Sequence, residues 1–194
     1  SAVGIDDRYA LDHQSISREL TSLLCSVLFD PALENGVFRE EDIAQEKRQL
    51  IERIDAEYND KRAFTKMRCE ELMCQNEAFG VSAYGKREAV EQLTAQQIYE
   101  AWQTALRTAR IECMMLGNSD PQQAKQVFEQ AFSHIQRTKP ADCSTQVVRS
   151  AQEVHEYNDS MEVAQAKLVL GFRAGTACPD KEVMAARLMS AIFG

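Results

Sequence analysis

Any chemistry in this chain would have to come from very few residues. It holds three histidines, His13, His134 and His155. No two are four positions apart, so no helix can turn a histidine pair toward one metal ion. His155 sits between Glu153 and Glu156, a grouping with the donor types of a metal triad. In an extended stretch, however, neighbours alternate between opposite faces, which pulls those donors apart. His134 stands beside Ile135 at the end of an amphipathic stretch. There an imidazolium suits the negative end of a helix dipole. Glu40, Glu41 and Asp42 could pass for a paired-carboxylate site. They precede a long helical periodicity, and an acidic first turn serves that purpose without catalysis. No serine has His and Asp partners at the spacing of a nucleophilic triad.

The six cysteines are Cys25, Cys69, Cys74, Cys113, Cys143 and Cys178. There is no C-x-x-C pair. Cys69 and Cys74 are five apart, which takes them off one helical face. Scattered thiols in a chain of this size and low glycine content are expected to stay reduced, as small buried hydrophobes or inert thiols. We therefore assign no catalytic and no cofactor-binding residue from the residues alone.

The elements that would have to position a site are mostly helical. Ser1 to Ala10 is expected to be a short entering strand. A helix follows from Asp12 or Ser15, with Ile16, Leu20, Leu23, Leu24, Val27 and Leu28 at helical spacing. Asp30-Pro31 stops it, and Asn35-Gly36 reads as a turn. A long helix runs from about Glu40 to Asn59, with Ile43, Leu50, Ile51, Ile54 and Tyr58 on its apolar stripe. Its other face is densely charged, the mark of a solvated surface. Asn59-Asp60 interrupts it, and Arg62 to Cys74 continues helically. After a loop with two glycines, Lys86 to Leu93 is a short helix. Thr94 and Gln97 spell a capping box before Ile98, Trp102 and Leu106. Ile111 to Leu116 reads as a short apolar strand ended by Gly117. Asp120-Pro121 opens another helix, striped by Ala124, Val127, Phe128, Ala131, Phe132 and Ile135.

Residues 138–144 carry Pro140 and no periodicity, and form the expected linker. Thr145 to Glu156 and Glu162 to Ala174 read as strands. In the second, Ala164, Ala166, Leu168, Leu170 and Phe172 share one parity, and Gln165, Lys167 and Arg173 carry the polar side. Cys178-Pro179-Asp180 introduces a last helix with Val183, Met184, Leu188, Met189, Ile192 and Phe193. The sequence stops at Gly194 while that helix is still apolar, so we expect a truncated chain that can self-associate. Helices with antiparallel strands, and no Gly-rich phosphate loop, make the fold class α+β.

Composition narrows the partners. The net charge of −8 disfavours nucleic acid, which needs clustered Lys and Arg. It disfavours an anionic membrane surface for the same reason. No stretch approaches the ~18 apolar residues of a membrane span. The N-terminal residues lack the pattern of a secretory signal, and the chain reads as cytoplasmic.

Four stretches, taken in order, resemble the inverted-zincin peptidases, the insulinase, pitrilysin and mitochondrial processing-peptidase family. They are Phe38 to Ile54 (FREEDIAQEKRQLIERI), Ala83-Tyr84-Gly85 with the Leu93-Thr94 helix start, the strand ending at Gly117 with Asp120 after it, and Gln165 to Gly175 (QAKLVLGFRAG). Asn59-Asp60-Lys61 is similar to the Gram-positive bacterial branch, whose members often occur as an active and a degenerate pair. The resemblance implies processing-peptidase-like layers of helices on an antiparallel sheet, here incomplete. Residues 1–137 would be the later part of a first peptidase-like domain, and 145–194 the beginning of a second, homologous one.

The same resemblance implies zinc held by an H-x-x-E-H pair and one further Glu. The pair is absent from this sequence and would lie upstream. The further Glu falls seven residues after the Glu of a Glu-Lys pair. With Glu46-Lys47 as that pair, the position is Arg53. A guanidinium has no lone pair for a metal. Moving the alignment by one residue would bring Glu52 into place, but rotates the helix by about 100° and breaks the apolar register. The resemblance therefore implies a non-catalytic homologue with no zinc in this segment, shaping a substrate chamber for peptides or pairing with an active peptidase. Two alternatives stand beside it: part of an active zinc peptidase whose H-x-x-E-H lies upstream, and an interaction module unrelated to proteolysis.

Overall fold

The structure is a computed structural model that describes residues 1–140, 145–178 and 180–193. Residues 141–144 of the expected linker, with Cys143, lie outside the described residues, as do Pro179 and Gly194. The chain divides into two compact units, each assembled from two separated stretches. One comprises Ser1–Glu46 with Leu93–Asp142, the other Lys47–Gln92 with Cys143–Gly194.

In the first unit, helix α1 spans Ile16–Phe29 and begins where Ser15 caps it. Asp7 reinforces that start by accepting from the Ser17 amide at 2.8 Å and its hydroxyl at 2.7 Å. A negative charge beside unsatisfied N–H groups is stabilising there. Asn35 and Gly36 both take positive φ, 53° and 84°. Those angles fold strand β1 (Leu33–Glu34) back on β2 (Val37–Phe38) as a tight antiparallel hairpin. Phe38 then meets helix α5 (Ala95–Thr108), whose Tyr99 and Trp102 lie edge-on to it at 6.0 and 5.9 Å. The indole N–H of Trp102 donates to the Leu28 carbonyl at 3.1 Å, near the end of α1. The capping box at α5 is present in full, with Gln97 accepting from the Thr94 amide at 3.0 Å.

Helix α6 (Pro121–Phe132) starts at the Asp120 cap and packs along α1. Phe29 and Phe132 meet edge-on at 4.7 Å. Ala124, Val127, Phe128, Ala131 and Phe132 are the half-buried positions of α6, which is the stripe their spacing predicts. Arg137 donates to the Leu106 and Ala109 carbonyls at the end of α5 and covers the Phe132 ring at 5.3 Å. A cation suits carbonyls left open at a helix C-terminus.

Helix α2 runs over Glu40–Asn59. Asp60 ends it and at once caps helix α3 (Lys61–Met73), accepting from the Arg62 and Ala63 amides. In the second unit Arg87, on helix α4 (Arg87–Gln92), grips both carboxylate oxygens of Asp55 at 2.5 and 2.6 Å. Helix α7 covers Val183–Phe193.

Several sequence expectations fail here. Ser1 to Ala10 forms no strand; Asp7–Tyr9 is a 3-10 turn. Ile111 to Leu116, Thr145 to Glu156 and Glu162 to Ala174 form no ladder either. Backbone strands need a neighbour to take their N–H and C=O groups. Among the described residues, only β1 and β2 pair. On α1, Leu23 and Val27 face outward, 58% and 69% exposed, while Cys25 takes the buried place. The fold is α+β, mostly helical with one small antiparallel sheet.

Trp102 is the chain's single tryptophan, so its emission reports on the α5–hairpin contact. Phe38→Ala removes two edge-on ring contacts and about half a buried side chain, a loss of about 2 kcal/mol. Urea unfolding followed by tryptophan fluorescence should show a lower midpoint and a red-shifted native spectrum. An unchanged native spectrum would contradict the contact.

Candidate functional site

The position that the resemblance marks for a zinc ligand, Arg53, lies on α2 and is exposed. Its guanidinium makes no hydrogen bond or ion pair with another described residue. Glu52, the neighbouring alternative, is exposed as well. Arg53 does not fit the role of a zinc ligand, because a guanidinium cannot coordinate. Among the described residues, no three His, Cys, Asp or Glu side chains come together as a metal cage.

The other sequence candidates are scattered. His13 ends a 3-10 turn, Leu11–His13. His134 is exposed just beyond α6, which ends at Phe132. His155 is exposed between two exposed glutamates, and its ring lies 6.4 Å from that of Tyr157. Glu40, Glu41 and Asp42 form the first turn of α2, and Asp42 pairs with Arg39 at 2.7 Å. The five described cysteines are free thiols. Cys25 and Cys74 are buried as expected, but Cys113 and Cys178 are exposed. Both lie in stretches without regular structure.

A denser polar cluster lies elsewhere in the second unit, where sequence reasoning did not look. Glu77 follows α3 and is buried, with its side chain 5% exposed. Its carboxylate accepts from the Arg173 guanidinium and, at 2.7 Å, from the Val148 amide. Arg173 also donates to the Met73 carbonyl at 2.6 Å. The Arg173 hydrogen bond holds the Glu77 carboxyl below its ordinary range, the Val148 amide adds to this, and burial works against both. Burial pushes the neighbouring Cys74 thiol up, while the Arg173 charge pulls it back.

Nearby, a Cβ on Gly171 would lie 2.5 Å from the Met73 sulfur and 3.2 Å from the Cys69 sulfur, so a larger residue there requires the Met73 side chain to move. Arg149 supplies a second tie, to Asp180 and to the Gly175 carbonyl at 2.8 Å. Alternation put Arg173 on the polar side of a strand; here no sheet forms to define that side, and the residue is half-buried against Glu77. The one sequence signal was an arginine next to an otherwise apolar run. The Arg173 guanidinium and the Val148 amide lower the basicity of this carboxylate, which suits a structural tie better than general-base work.

The first unit has an open groove of 590 Å³ between residues 111–115 and α6, lined by Ile111, Met114, Met115, Phe128 and Phe132. Lys125 and Glu129 stand at it and pair with each other at 3.6 Å.

Residues 92–194 match the family domain described as the Peptidase M16 inactive domain. That stretch is more than half of the chain. The chain belongs to the peptidase M16 family. It is also 29% identical over 189 residues to the "Probable inactive metalloprotease YmfF" of Bacillus subtilis (strain 168). The alignment takes in 97% of this chain and 44% of that protein, so the chain spans less than half the length of this relative. No solved structure matches. The M16 inactive-domain match contains α5, α6, Arg173 and α7, and starts after Glu77 and Arg53. The Glu77–Arg173 pair thus ties the matched region to the turn after α3.

Glu77→Gln should destabilise the fold, since it leaves the Arg173 charge buried and unpaired. The sign of its pH dependence follows from a depressed folded pKa. The pair's contribution is complete above the ordinary glutamate value of 4.5 and is lost as pH falls through the lower folded value. Denaturant titrations should therefore give a steady gap between native protein and variant near neutral pH, narrowing in acid. A gap that widens in acid would refute the pairing.

Gly171→Val should cost about 1–3 kcal/mol through overpacking against Met73. Thermal unfolding of the variant checks this, and an unaltered melting temperature would mean the approach is not as close as described.

Proposed function

We propose that this M16-family chain is part of a non-catalytic peptidase homologue that acts by shaping a substrate chamber or by pairing with an active relative. Arg53 carries the reading. A ligand position filled by a permanent cation disables zinc binding more thoroughly than a neutral replacement would, because it also repels the metal. The match of residues 92–194 to the family's inactive domain supports the same reading. So does the relative from Bacillus subtilis, whose name describes it as inactive. On this reading, residues 1–137 close a first peptidase-like domain and 145–194 open a second. Among the described residues no helix is long and apolar enough to cross a membrane. Cytoplasmic residence completes the proposal.

A binding role requires a surface to bind with, and α7 offers one. Met184, Leu188 and Ile192 recur four apart and are 65%, 64% and 74% exposed. Helices joined along such a stripe bury their apolar faces against each other. Arg187 is the only charge on this helix.

Two experiments test the proposal. Metal analysis and peptide hydrolysis by the full-length protein should give zinc far below one equivalent and no chelator-sensitive cleavage. Stoichiometric zinc would overturn the reading of Arg53. Zinc then lost on Glu52→Gln but kept on Arg53→Ala would make Glu52 the ligand. Light scattering tests association: the 21.9 kDa chain should run above its monomer mass, and Leu188→Asp with Ile192→Asp should return it to monomer. A monomer before mutation would remove α7 as an association face.

A further inference from the structure

We draw no further inference here: the strongest candidate, the open apolar groove between residues 111–115 and helix α6, is an unpartnered face and nothing in the structure shows what covers it.

Discussion

The Glu77–Arg173 pair organises the second unit. The described residues between 145 and 182 form no helix and no strand ladder to hold them. Their attachment to α3 and the turn after α3 rests on side chains: Arg173 on Glu77 and Met73, the Val148 amide on Glu77, and Asp159 on Arg68 at 3.1 Å. A buried charge pair adds little net stability compared with apolar packing. What it supplies here is register. Arg173 must reach one carboxylate and one carbonyl together, and Gly171 must pass the Met73 sulfur. A slide by one residue would bring Phe172 or Ala174 to the position of the guanidinium and strand Glu77 without a partner.

Helix starts were the most legible part of the fold. Ser15, Asp60, Thr94 and Asp120 each cap a helix, and their side chains satisfy amides a few residues away. Capping is local, so sequence alone contains both partners. The Asn35-Gly36 hairpin was legible for the same reason, since the turn demands φ values that those two residues tolerate. Strands failed because their energy lies in a neighbour that is distant in sequence or outside it. Ile111 to Leu116 has the right composition for a strand, yet Met114 is 89% exposed and Leu116 entirely so. The burial pattern of α1 failed more mildly. Its apolar positions wrap too far round the helix to say which of them face α6.

The candidate site divides along the same line. The Arg53 position could be located on a helix because a spacing of seven residues keeps it on the face of Glu46. Its consequence for chemistry follows from residue type alone. The Glu77 cluster could not be found that way, because its members are almost a hundred residues apart and one of them looked like a solvated arginine. Family membership was readable because four weak stretches fall in one order, although none is diagnostic alone.

The bare segment at 111–116 has a consequence for how the protein behaves in bulk. Six residues, IECMML, contain neither proline nor glycine and only one charge, and no backbone hydrogen bond joins them to a described residue. Such a stretch is a template for stacking identical copies in register, each amide finding the next chain's carbonyl. The net charge of −8 keeps whole molecules apart at a distance, but it is spread over the surface and screened within about 10 Å at moderate salt. Fibril nucleation is a short-range event. At short range the segment is shielded only by what takes its open backbone groups, and the overall acidity of the chain acts at longer range.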